Sequence, residues 1–262
     1  MGSKPNTCPS RMPNAPSPTA AVLLIGDEIL SGRTPDVNLA TIAKFLAPYG
    51  IDVCEARVVR DVVEEIVEAL NALRTRFTYV FTTGGIGPTH DDITADAVGR
   101  AFHVAVDYHP EALALLEPRY GPGEFNEMRK RMARIPTGAT LIRNSVSTAP
   151  GFQIGNVFVM AGVPMIMRAM LEDVGPRLER GAVVVTRTIS AQTGEGRIAA
   201  DLAQIQLDHT KVTIGSYPLY ADGAAGVQLV VRGRGGEAVE AAAKAIEAVL
   251  DRDGIKSARI SV

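Results

Sequence analysis

Residues 79–96, YVFTTGGIGPTHDDITAD, gather glycines, hydroxyls and carboxylates in a pattern that could act on a phosphate. An apolar run ends in Thr82-Thr83-Gly84-Gly85, and a helical pattern follows from about 92 to 102. Unpaired backbone N–H groups in such a turn, and at the start of the helix after it, can converge on an anion. The same glycines suit a tight turn that needs only their backbone angles, and spacing leaves both readings open. Two commoner phosphate patterns are absent: G-x-x-x-x-G-K-[ST] lacks its lysine, and G-x-G-x-x-G has His90 in place of its third glycine. Thr89 and Asp92 stand in the [ST]-x-x-[DE] relation of a cap at a helix start. Capping uses one acid, however, and the adjacent pair Asp91-Asp92 beside a phosphate would repel it unless a hard divalent cation joined them.

Further acids stand where two other apolar runs end, at Asp27-Glu28 and at Asp61. Single acids at strand ends are mostly solvated, but parallel strands would bring these to one edge. Of the histidines His90, His103, His109 and His209, only His90 falls in the candidate site, where it is expected to face water; none has H-E-x-x-H spacing. Ser145 and Ser147 lack the G-x-S-x-G elbow of a serine hydrolase. Gly215 and Tyr217-Pro218 read as a strand end with a turn, and Arg232 and Arg234 as a solvated edge.

The elements that must position these residues follow from periodicity. Residues 20–25 read as a buried strand; Leu39, Ile42, Ala43, Leu46 and Tyr49 recur at helical spacing up to Gly50; 51–59 is a strand. Val63, Ile66, Val67, Leu70 and Leu73 mark a helix, 79–81 a strand, 157–160 another, and Met167, Met170, Leu171, Val174 and Leu178 the helix after it. Residues 108–150, punctuated by prolines, read as one or two helices and loops. This alternation predicts an α/β domain over 19–180, with a mostly parallel sheet covered by helices on both faces. From 181 to 262 the order becomes β-α-β-β-α-β, a smaller ferredoxin-like α+β domain. Residues 1–18, with Pro5, Pro9, Pro13, Pro16 and Pro18, read as a disordered tail.

The composition excludes other classes. Of 262 residues 46% are hydrophobic and 21% charged, with 27 Lys+Arg against 29 Asp+Glu. That is enough apolar material for one large or two unequal cores, and it rules out disorder as the dominant state. A net charge of −2 argues against nucleic-acid binding through phosphate neutralisation. No apolar run approaches the roughly 18 residues of a spanning helix. Cys8 and Cys54 make neither a disulfide framework nor a zinc site, so a reducing cytoplasm is the expected setting.

In order and spacing, GDEILSGRTPDVN (26–38), TTGGIGPTHDDIT (82–94), STAPGF (147–152) and AGVP (161–164) resemble the molybdopterin-binding-domain superfamily, most closely the amino-terminal part of the competence/damage-inducible CinA family. The resemblance covers about 20–180. The segment after it is similar to the KH-like domain that follows in CinA and in the hydrolase part of eukaryotic FAD synthases, GSYP (215–218) pointing to the latter. No stretch corresponds to the carboxy-terminal amidohydrolase domain of full-length CinA. Relatives that bind and adenylate molybdopterin rely on two aspartates matching Asp61 and Asp92; CinA-like relatives are metal-dependent pyrophosphatases of ADP-ribose or FAD. The resemblance therefore implies a phosphate cradle of Gly84, Gly85, Gly87, Pro88 and Thr89. It adds Asn38, Thr148, Gly151 and Gly162 as further ligand contacts. Asp91, Asp92 and Glu28 are expected to hold Mg²⁺ or a similar cation, and Asp61 and Asp92 to be catalytic. The partner is a small nucleotide or pterin, and relatives form homodimers or trimers. The alternative is a molybdopterin or nucleotide carrier without catalysis, because CinA-like proteins read PGVPSEM where this chain has AGVPMIM, placing Ile166 at the usual acid. RNA binding through the KH-like part is not expected, since no G-x-x-G loop joins helices there.

Overall fold

The computed structural model describes residues 17–221 and 224–260. Of the tail expected over 1–18, residues 1–16, Cys8 among them, lie outside the described residues, whereas Pro18 is buried directly before β1. The chain divides between Gly181 and Ala182 into two compact units.

The first unit runs β1 (Thr19–Ile25), α1 (Asp27–Leu30), α2 (Asn38–Leu46), β2 (Asp52–Val59), α3 (Val63–Arg74), β3 (Tyr79–Thr83), α4 (Thr94–Phe102), β4 (Val106–Tyr108), α5 (Pro110–Leu116), α6 (Glu127–Lys130), β5 (Arg134–Pro136), β6 (Thr140–Ile142), β7 (Gly151–Ile154), β8 (Val157–Met160) and α7 (Pro164–Val174). A six-stranded sheet has the order β2-β1-β3-β8-β7-β6. Its first four strands are parallel, and β7 and β6 join antiparallel. The mostly parallel sheet expected from the strand–helix alternation is therefore present.

β1 shows why this sequence needs two covered faces. Its residues from Ala20 to Ile25 are all buried, so both sides of the strand must be shielded from water. Ala21, Leu23 and Ile25 pack with Ile66, Leu70 and Leu73 of α3 and Ala97 and Val98 of α4. Ala20, Val22 and Leu24 point the other way, into a second layer with Ile42 and Leu46 of α2 and Met167, Met170 and Leu171 of α7. Period 2 in the strand thus meets period 3.6 in helices on either side. The stretch 108–150 departs from the expectation of helices and loops: β5 pairs with β4, and β6 extends the main sheet through β7. These strands have only three or four residues, too few for alternation to declare itself.

The second unit runs β9 (Val185–Ala191), α8 (Glu195–Asp208), β10 (Val212–Ala221), β11 (Ala224–Gly233), α9 (Gly236–Arg252) and β12 (Ser257–Ile260). Its antiparallel sheet, β10-β11-β9-β12, has the ferredoxin-like arrangement. Ile189, Leu229 and Val231 form its core with Ile198 of α8 and Val239, Ile246 and Leu250 of α9. Gly215 and Tyr217-Pro218 are not a strand end with a turn: they lie inside β10, Pro218 opposite Val227. The proline is tolerated because β10 is an edge strand. Ile214 already turns its N–H out of the sheet to Gln206 Oε1 at 2.8 Å, and Pro218, four residues on, faces the same free side. The last strand, expected over 257–262, is described over Ser257–Ile260, and residues 261–262 lie outside the described residues. No helix among the described residues is long and apolar enough to cross a membrane.

Candidate functional site

Because β1, β2, β3 and β8 run parallel, the turns after them open on one edge of the sheet, where ligands of open α/β folds bind. Gly84 ties this edge together. Its N–H donates to Met160 O at the end of β8 (3.2 Å), and its φ of +108° places the position of an absent Cβ only 2.1 Å from Ile25 O at the end of β1. No other residue allows two chain segments that approach. A Cβ on Gly162 would lie 3.3 Å from Gly84 Cα, and Asn38 Nδ2 donates to Gly162 O at 2.7 Å. Asn38 is 5% exposed, and its Oδ1 is buried without a partner. On the far side, Thr94 donates from Oγ1 to Gly84 O and from its N–H to Gly85 O, both at 3.0 Å. Asn38, Gly84, Gly85 and Gly162 are thus brought together.

The second half of the glycine turn folds around Asp92. Gly87 N–H donates to Asp92 Oδ1 at 2.6 Å; Thr89 donates to Oδ2 from its N–H at 2.7 Å and from Oγ1 at 2.6 Å. This corrects two expectations. Asp92 does not cap α4: that helix starts at Thr94 behind Ile93, and no side chain caps it. The donors of Gly87 and Thr89 are not open to a phosphate either, because a carboxylate of the chain itself already fills that nest. Pro88 lies half-buried between them.

The other acids gather at the same edge. Asp27 N–H donates to Asp61 Oδ2 at 3.0 Å, and Glu28 folds its carboxylate over Gly26, where a Cβ would meet both oxygens at 2.6 Å. Burial pushes the Asp61 carboxyl above its ordinary value; the Asp27 N–H opposes this, and the charges of Glu28, Asp27 and Asp91 add to the rise. Asp91, exposed, is held below the usual range by the Thr89 hydroxyl, then by its own N–H and by His90. His90 faces water as expected, its side chain 95% exposed. Among the described residues no three His, Cys, Asp or Glu side chains are grouped to hold a metal. Glu28, Asp91 and Asp92 therefore do not form the expected ligand set, since Asp92 is spent on its own loop. The residues as placed do not fit a resident cation.

Thr148 and Gly151 have different explanations. Gly151 is buried in β7, where a Cβ would lie 2.3 Å from Val159 O, so close strand pairing alone requires glycine. Thr148 adopts φ +57° with its Oγ1 buried and unpartnered. The neighbouring Pro150 and Phe152 line a crevice with Gly85, Gly87, Asp92, Asp96, Arg131 and Arg134. Sequence reasoning missed the last three. Asp96 and Arg134 pair through two 2.7 Å bonds, and no local pattern announces a partnership across 38 residues. Ile166 packs partly buried against the α2–α7 core layer, so the position of the usual acid holds an apolar packing residue.

With this geometry in place, the comparisons agree. The family described as "Probable molybdopterin binding domain" matches residues 21–180, and "FAD synthase, middle domain" matches 183–259. A protein of Archaeoglobus fulgidus is 32% identical over 88% of this chain and 97% of its own length. A CinA-like protein of Citrifermentans bemidjiense is 42% identical over 58% of this chain, which spans 38% of that longer protein. The crystal structure of a CinA of unknown function from Thermoplasma acidophilum matches with a TM-score of 0.58 at 34% identity, covering 62% of this chain and 98% of that one. The chain belongs to the molybdopterin-binding-domain family, with a CinA-like relationship.

Proposed function

We propose that the first unit binds a phosphate-bearing nucleotide or pterin at the ends of β1, β3 and β8, and hydrolyses a diphosphate-linked nucleotide such as ADP-ribose or FAD. One observation carries the reading: Asp61 is half-buried at the acid-lined edge and oriented by the Asp27 N–H, and burial raises its carboxyl above the ordinary value, which makes its carboxylate a stronger base. As general base it would accept a proton from water; the water oxygen would bond to one phosphorus, and the bridging P–O bond would break with its electron pair going to the departing phosphate. Asn38 and the Gly84–Gly162 approach would shape the wall against which the ligand lies. The match of 183–259 to the FAD synthase middle domain supports a flavin or adenine dinucleotide. No step is assigned to a metal, and divalent cations enter the test as a variable. A cytoplasmic homo-oligomer, dimer or trimer, belongs to the same proposal.

The test incubates the full chain with ADP-ribose and with FAD, alone and with Mg²⁺, Mn²⁺ or Co²⁺, and separates the products. AMP release is expected; no turnover under any of these conditions removes the hydrolytic reading. A second reading, binding or adenylation of molybdopterin without hydrolysis, draws on Ile166 and on the saturated carboxylate of Asp92. It would show as ligand binding that persists without metal and yields no AMP from either dinucleotide.

A further inference from the structure

Basic residues crowd the stretch 129–134, and all but one of them pair with a carboxylate. Arg129 pairs with Glu124 at 3.6 Å and lies over the Tyr120 ring at 4.4 Å, Lys130 pairs with Glu127 at 2.7 Å, and Arg134 is held by Asp96. Arg131 has no carboxylate partner among the described residues. Its Nη2 makes a long 3.4 Å contact to the backbone oxygen of Asp92, and its Nε is buried without any acceptor. Native folds rarely leave a buried N–H of a charged group unmade, and an exception asks for a missing partner. Arg131 also lines the crevice that holds Gly85, Gly87 and Asp92.

An anion could supply that partner. The N–H groups of Gly87 and Thr89 are given to Asp92, so a phosphate reaching this turn meets a filled nest beside a negative carboxylate. It needs a positive group on the opposite wall, and a planar guanidinium can donate to two phosphate oxygens at once. We propose that Arg131 receives a phosphate of the ligand in this crevice, with Nε among its donors, while the glycine turn holds Asp92 in place rather than the phosphate. The inference rests on the reading that this edge takes a phosphate-bearing ligand.

Calorimetric titration of the full chain with ADP-ribose and FAD tests it, with R131Q, R131K and, as a paired surface control, R129Q. R131Q is expected to weaken both ligands roughly 10- to 100-fold, the size of a lost charged hydrogen bond, and to flatten the dependence of affinity on salt. R131K, which keeps the charge without the fork, is expected to fall between R131Q and the unsubstituted chain, and R129Q to stay within about twofold of it. Thermal unfolding of each variant confirms that it folds. Unchanged affinity in either folded Arg131 variant overturns the inference and leaves the proposed function standing; no binding of ADP-ribose or FAD by the unsubstituted chain overturns both.

Discussion

Asp61 and Asp92 carry the same carboxylate into opposite surroundings. Asp92 accepts three hydrogen bonds from its own loop, whereas Asp61 receives one backbone N–H amid burial and the like charges of Glu28, Asp27 and Asp91. Folding raises the proton affinity of Asp61 above its ordinary value of 3.8. The stability linked to it is therefore fully present below that value and lost as pH rises through its folded value. D61N removes the charge, so it is expected to unfold at a higher temperature than the unsubstituted chain at pH 7, with the difference shrinking towards pH 3; a lower midpoint at pH 7 would contradict this. D92N does the reverse. An amide in place of one acceptor oxygen would oppose a loop N–H, and a loss of about 1–3 kcal/mol is expected in urea unfolding. The sequence placed both acids at the site but not their roles: the Thr89-x-x-Asp92 spacing serves a capping box and a closed loop equally well, and only the backbone path to Thr94 separates them. Arg131 was illegible for a related reason. In a run of basic residues, nothing local says which one lacks a partner.

The helices α2, α3 and α7 were readable because their apolar residues recur over two or more turns, and β1, β3 and β8 because each is an unbroken run of apolar or buried residues, while β2 alternates exposed and half-buried positions along its eight residues. The short strands β4 to β7 escaped because pairing across the chain, not local pattern, makes them strands. Leu23, fully buried between β1 and the α3–α4 layer, measures what this burial contributes: L23A is expected to cost about 2–5 kcal/mol in urea unfolding. Gly84 tests the join between elements. In G84A the new methyl would collide with Ile25 O at a backbone angle that side chains disfavour. A loss of at least about 1–3 kcal/mol is expected, together with weakened ADP-ribose binding, because β1 and the turn must part. Full stability in G84A would show that the close approach is not required.

At the scale of the whole molecule, an α/β unit that carries the site is followed by a ferredoxin-like unit with its own core. The change of element order near residue 180 was visible because strand–helix alternation gives way there to two helices set among four strands. What composition could not show is how the balanced charge is distributed. The net value of −2 averages over an edge where Asp27, Glu28, Asp61 and Asp91 converge and a crevice where Arg131 stands unpaired. Hydrolysis at that edge is the central claim, and product analysis of ADP-ribose and FAD with the unsubstituted chain and D61N side by side tests it most directly. The expected result is AMP from the unsubstituted chain and a rate at least about 100-fold lower in D61N, with ligand binding retained. No AMP with any divalent cation, or equal rates in the two proteins, would contradict it.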